Sequence, residues 1–297
     1  MKKIVVIGSS NIDLIMKMNR LPEKGETVTG AEFFQVYGGK GANQAVAAAR
    51  AGGNVAFISC VGEDAYASQM IQQFKDNGID TSFVFRETGM PSGHALIMIG
   101  GQGENYISVA PGANDLLGPE KINEALPIIN EAEMIVLQYE IPRKTLTHII
   151  NIGNEKNIPI LWNFAPAQEF DFSYFSRINI LVLNETEVGY LAKMQVENED
   201  EAENAAKTLI ERGVEKVIIT RGAEGAFVLT EHEKVRISSY RVDAVDTTAA
   251  GDTFCGALAV ALIEGSSLKH ALEFASAAAA ISVTRLGRNP RFLLDLK

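Results

Sequence analysis

Two aspartates, Asp246 and Asp252, bracket five small residues in the stretch DTTAAGDTFCGALAVAL (residues 246–262). The stretch reads as a loop feeding an apolar helix. Small side chains let the backbone approach a ligand closely, and the first amides of a helix lack internal partners. With the helix dipole they make an anion site suited to a phosphate. A carboxylate beside that site can take a proton from an attacking hydroxyl, while the amides hold the charge that builds on a transferring phosphoryl group. The plain alternative makes Asp252 a helix N-cap and the small residues packing. A cap accounts for one carboxylate and leaves Ala249, Ala250, Gly251 and Asp246 without a reason. Physics alone leaves both readings open.

Three further stretches carry polar groups in patterned places. In YGGKGANQAVAAARAGG (37–53), Gly38, Gly39 and Gly41 open a helix of small residues. It is not a Walker A loop, and Gln44 occupies the last slot of a G-x-G-x-x-G pattern. Close packing explains the alanines but not Lys40 and Asn43, which are good donors for a polyhydroxylated ligand. NETE (184–187) is a capping pattern; alternatively Glu187 helps hold the water shell of Mg²⁺. TRGAEG (220–225) is a hairpin turn that, near a phosphate, would offer a cradle of amides.

These residues need a frame. KIVVIG, NVAFISCVG, MIVLQYE, IPILWNFAPA, INILVLNETE and KVIIT read as short buried strands, separated by amphipathic helices such as 64–78, 143–157 and 202–213. Two Ala-rich helices, 251–264 and 268–284, close the chain. The alternation implies an α/β fold: one domain over 1–297, with a mostly parallel sheet covered on both faces. Residues 13–36 and 93–109 read instead as turn-linked extended pieces, forming a small antiparallel sheet beside the body. In parallel sheets ligands bind beyond the carboxyl ends of strands. Asn11, Asp13, Glu140, Asn163, Asn184, Glu187 and the Thr220-Arg221-Gly222 run all follow such strands.

Composition narrows the function. The net charge is −10 and no Lys/Arg run occurs, which disfavours a nucleic-acid partner. The longest charged stretch, 197–204, is acidic and reads as a solvated helix start. Cys60 and Cys255 sit in apolar contexts without metal spacing, as buried free thiols in a reducing compartment. The short apolar run after Met1 is unlike a signal peptide, and no run approaches a membrane span, so a soluble cytoplasmic protein is expected. His94, His148, His232 and His270 are scattered, and G-x-S-x-G is absent.

DTTAAGDTF and GGKGANQA resemble the C-terminal and N-terminal signatures of the ribokinase-like carbohydrate kinases, the phosphofructokinase-B family. NIDLIMKMNRLPEKGET, GENYISVAPGAN, NFAPA and NETE follow the family's order, so the resemblance runs from about residue 3 to about 290. It implies a doubly wound α/β domain with a small β lid over the sugar, a lid that often doubles as a dimer interface. It also implies transfer of the ATP γ-phosphoryl group to a sugar hydroxyl, with the 5-hydroxyl of ribose favoured by GGKGANQA. Another sugar, a nucleoside, or an inactive sugar-sensing role are the rivals.

On the matching positions, Asp252 is expected as the base, with Ala249, Ala250 and Gly251 as anion-hole amides. Asn11, Asp13, Gly39, Lys40, Asn43 and Glu140 match sugar contacts. Asn184, Thr220, Arg221, Gly222, Gly225, Gly251 and Ser276 match the ATP side, with Ser276 shorter than the family's usual Asn or His. Mg²⁺ would accompany ATP. Asp246 and Thr248, with Ser282, Arg285, Gly287 and the residue at 291, match a loop around an activating potassium ion. The family has a hydroxyl residue at that last place; here it is Arg291, and a guanidinium would repel a cation or take its place. Weakened potassium dependence is therefore expected.

Overall fold

The computed structural model describes residues 2–102 and 104–284; Arg285, Gly287 and Arg291 lie outside the described residues. The chain opens with β1 (Lys3–Ile7) and leaves it at once for β2 (Asn11–Lys17) and β3 (Glu32–Gly38). It turns at Gly39 into α1 (Lys40–Arg50) and continues through β4 (Asn54–Gly62), α2 (Ala65–Asp76) and β5 (Asp80–Glu87). A second excursion follows, β6 (Gly93–Ile99) and β7 (Asn105–Ala110). Next come the short helices α3 (Pro119–Glu124) and α4 (Leu126–Ile129), then β8 (Ala132–Leu137), α5 (Arg143–Lys156) and β9 (Ile160–Asn163). The last third holds β10 (Ile180–Asn184), α6 (Glu185–Ala192), α7 (Glu199–Ile210), β11 (Lys216–Thr220), β12 (Ala226–Leu229), β13 (Lys234–Ile237), α8 (Ala250–Ile263) and α9 (Leu268–Ser282).

Among the described residues the main sheet has nine strands in the order β13-β12-β11-β10-β9-β8-β1-β4-β5. From β11 to β5 every pairing is parallel; β12 and β13 add an antiparallel edge. Alternation along β1 divides the core. Val5 and Ile7 join the cluster that includes Ile149, Trp162 and Leu209, while Ile4 and Val6 join Ala45, Leu258 and Ala275 on the other face. The sheet is thus buried on both sides, which is why its strands read as continuous apolar runs. No helix among the described residues is long and apolar enough to cross a membrane.

The small sheet has the order β3-β2-β6-β7. The expectation of an antiparallel sheet holds for its two hairpins but not for their junction: β2 and β6 run parallel, from Asn11 opposite Gly93 to Lys17 opposite Ile99. Both hairpins depart from the same edge of the main sheet, so their outgoing strands lie side by side and their returning strands flank them. β5 and β13 are not evident in the sequence. One is a half-buried edge strand and the other a four-residue edge strand, so neither carries a strong apolar signal.

Parallel pairing puts the carboxyl ends of β1, β8, β9, β10 and β11 on one edge of the sheet. Helices α1 and α8 cross beside that edge in close contact. A Cβ placed on Gly256 of α8 would lie 2.6 Å from the Gln44 carbonyl oxygen and 2.7 Å from the Ala48 nitrogen. Gly256→Val should therefore cost about 1–3 kcal/mol by overpacking, read as a lower midpoint in urea unfolding.

Candidate active site

Asp252 lies in the first turn of α8 but does not cap it. The cap position is Ala249, in the left-handed region at φ 62°, and no side chain caps the helix. A β-carbon is disfavoured there, so the loop is held in a strained conformation that presents the helix start uncapped. A Cβ on Gly251 would meet nothing within 4 Å, so space opens directly above these amides. The Asp252 side chain reaches toward α1 and is only 6% exposed. Asn43 Nδ2 donates to its Oδ2 at 2.9 Å and Gln44 Nε2 to its Oδ1 at 3.0 Å. The packing-and-cap alternative fails here: the buried carboxylate is served by amides of another helix.

Glycines make the approach possible. Gly39 starts α1 at φ 89°, and a Cβ there would lie 2.9 Å from the Asn11 nitrogen. Gly41 packs on Gly8 with no room for a side chain, and Ala42 N donates to the Ser9 carbonyl at 2.9 Å. The N-terminus of α1 is therefore seated on the segment joining β1 to β2. Asn11 and Asp13, at the start of β2, are both buried. Asn114 Nδ2 donates to Asn11 Oδ1 at 2.8 Å. Glu140, just past β8, accepts from Ser9 Oγ at 2.5 Å and from the Lys40 amide at 3.0 Å. A cavity of about 390 Å³ beside this cluster is lined by Asn11, Asn114 and Glu140 among others.

The Lys40 ammonium is set among carboxylates. Desolvation pulls its pKa down, but Asp252, then Glu140 and Glu187, outweigh it and hold the group above the ordinary lysine value. Glu187 is half-buried; desolvation raises its carboxyl, against the Asn184 amide and Lys40. Asn184 and Glu187 form a reciprocal capping box at the start of α6. Burial pushes up the thiol of Cys255, one turn from Asp252, as it does that of Cys60.

On the far side of Gly251 lies a cavity of about 600 Å³, lined by Thr220, Gly222, Gly225, Ala250, Ser276 and Val283 among others. Two expected nucleotide-side residues are engaged elsewhere. Asn184 Oδ1 is given to the cap. The buried Arg221 guanidinium is paired with Glu185, Glu199 and Glu224, tying β11 to α6 and α7 rather than lining the cavity. A larger depression of about 1010 Å³, at Pro159, Asn179 and Lys216, opens at the opposite edge of the sheet and gathers none of the expected residues.

A carboxylate thus stands between a bed of uncapped amides facing a nucleotide-sized space and a buried polar cluster with one lysine. The sequence profile of the pfkB family carbohydrate kinases matches residues 1–292. This chain belongs to that family. A ribokinase of Haemophilus influenzae is 39% identical over 286 residues, covering 96% of this chain and 94% of that protein. A deoxyribokinase of Salmonella typhi is 38% identical over 285 residues, covering 96% and 93%. The Arabidopsis thaliana ribokinase complexed with ribose and ATP superposes with a TM-score of 0.90 at 30% identity, covering 100% of this chain and 99% of that one. The Thermotoga maritima ribokinase gives 0.88 at 37%, covering 98% and 96%.

The residues of this pfkB kinase fit cations unequally. Among the described residues no group of three or more His, Cys, Asp or Glu converges as a metal site. A Mg²⁺ held mainly by phosphates and water needs none, and Glu187 offers one carboxylate beside Lys40 and Asp252. Around the expected potassium loop, Val245 N and Asp246 N both donate to the Val283 carbonyl, at 2.7 and 3.1 Å. That clamp brings Asp246 and Thr248 to the carbonyl end of α9 near Ser282, where the helix dipole favours a cation.

Sequence reasoning missed Ser9, Gln44, Asn114 and Gln138, and gave Asn163 no role. The available signal was their type: polar residues inside or directly after apolar runs, such as Gln138 after MIVL. Lys40→Met should lower stability at neutral pH, because three carboxylates lose their counter-charge. A lysine whose pKa is raised by folding stabilises below its unfolded value and loses that contribution as pH rises through the folded one. The gap between wild type and variant should therefore close above the ordinary value of 10.5, measured by denaturant unfolding between pH 7 and 11.

Proposed function

We propose that this chain transfers the γ-phosphoryl group of ATP to the 5-hydroxyl of ribose. The observation that carries the reading is the Asp252 carboxylate, buried and aimed by two amides, next to the uncapped amides of α8. Asp252 accepts the hydroxyl proton as the sugar oxygen attacks the γ-phosphorus. The new O–P bond forms as the bridging bond to the β-phosphate breaks, and ADP leaves. Amides of Ala249, Ala250 and Gly251 hold the charge on the transferring group. When bound, Mg²⁺ would draw charge from the phosphate oxygens, with Glu187 ordering its water shell. ATP occupies the cavity at Thr220, Gly222, Gly225 and Ser276. Ribose is read by Asn11, Asp13, Gly39, Lys40, Asn43 and Glu140. The small sheet acts as a lid that keeps water from the reacting phosphate.

Asp246, Thr248 and Ser282, with Arg285, Gly287 and Arg291, are assigned to a monovalent-cation loop whose dependence on potassium Arg291 weakens. The lid also serves as the face of a homodimer. It exposes Phe33, Leu96 and Tyr106 on one face, each more than half exposed, an apolar patch that a second copy would cover.

A sugar panel with coupled ADP detection should give ribose the highest kcat/KM. The similarity to a deoxyribokinase makes 2-deoxyribose the competing substrate, and a preference for it would reassign the sugar. Asp252→Asn should lower kcat by roughly 10²–10⁴ with ribose binding largely kept; near-normal turnover would remove the assigned base. Replacing potassium by a bulky organic cation should change turnover little, whereas strong potassium activation would contradict the effect given to Arg291. Light scattering should give twice the 32.1 kDa chain mass, and Phe33→Glu with Tyr106→Glu should halve it.

A further inference from the structure

The carboxylate of Asp252 is one end of a chain of buried amides. Only an NH₂ group can face a carboxylate oxygen, so the orientation of the Gln44 amide is dictated by the charge it serves. Gln44 Nε2 spans Asp252 Oδ1 at 3.0 Å and Asn163 Oδ1 at 3.1 Å. Its Oε1 must then meet a donor, and Gln138 Nε2 supplies one at 2.8 Å. Asn163 is turned in the same sense, because its Nδ2 donates to the Val182 carbonyl at 3.3 Å. Gln44 and Gln138 are fully buried and Asn163 is 7% exposed. Room for the Gln138 amide exists because residue 8 is glycine: a Cβ there would lie 1.9 Å from Gln138 Oε1.

Three neighbouring strands are therefore wired to one carboxylate. Gln138 follows β8, Asn163 ends β9, and the Val182 carbonyl belongs to β10. An amide suits this place better than a cation. It fixes direction without neutralising the base, and it occupies one oxygen from the inner side only.

We infer that Gln44 is a positioning residue: held by Gln138 and Asn163, it sets the direction of the Asp252 carboxylate toward the attacking hydroxyl. The inference rests on Asp252 being the base. Gln44→Met, of similar shape and unable to donate, should lower kcat by roughly 10–100-fold, with KM for ribose within about 3-fold, since misplacement costs the chemical step more than binding. Because the residue acts through Asp252, the same substitution in an Asp252→Asn background should change kcat by less than about 2-fold. Gln138→Met should act in the same direction, more weakly, and its effect should also vanish in that background. It carries the test if Gln44→Met fails to fold, which thermal unfolding reports. Equal losses in both backgrounds would make Gln44 a packing residue, and an unchanged kcat would overturn the inference directly. If Asp252→Asn alone keeps its turnover, the reading of the base fails instead, and that outcome is visible separately.

Discussion

A negative charge buried at the carboxyl edge of a parallel sheet is the constraint around which this molecule is arranged. An ionised carboxylate that is 6% exposed needs donors and a nearby positive charge. The fold supplies both from one turn of one helix: Asn43 and Gln44 as donors, Lys40 as the cation. That turn can reach α8 because Gly256 carries no side chain to hold the two helices apart, and it is seated on the segment joining β1 to β2 because Gly39 and Gly41 carry none either. The glycines, the alanines of α1 and the polar residues between them therefore answer a single electrostatic demand.

The same demand separates the two sides of the site. The cavity at Thr220, Gly222 and Ser276 is walled mostly by glycine, alanine and hydroxyl residues, with Tyr240, Arg241 and Phe254 as its larger side chains, and suits a flat or phosphorylated ligand approaching amides. The cluster at Asn11, Asp13, Lys40 and Glu140 is dense in side-chain donors and acceptors, suited to hydroxyl groups. Arg221, which by charge alone belongs with a nucleotide, is consumed by Glu185, Glu199 and Glu224 and stiffens the turn 222–225 from behind.

Much of this arrangement is legible in the amino-acid sequence. The parallel sheet follows from buried β-branched runs between amphipathic helices, and the strand-end polar residues do gather on one edge. The two readings of Asp252 are separable only in three dimensions, because a cap and an aimed carboxylate share the same sequence. The left-handed Ala249 leaves no mark, since nothing in the residue type announces it. Gln44 reads as an interruption of a glycine pattern, whereas its meaning lies in Gln138 and Asn163, distant in sequence. The parallel junction of β2 and β6 is hidden for a similar reason: hairpins fix their own pairing but not that between hairpins.

The passage from the main sheet to the small one is short. Only Gly8, Ser9 and Ser10 separate the end of β1 from the start of β2, and Asn11 and Asp13 stand on the far side of that joint. Any rotation of the small sheet against the body must carry these two residues with it. On the proposed assignment of these residues to the sugar and of the small sheet to a lid, recognition and closure are one mechanical coordinate, and an open arrangement would be one in which the pocket is not yet assembled. An apparent affinity for the sugar would be the intrinsic one diminished by the fraction of molecules already closed.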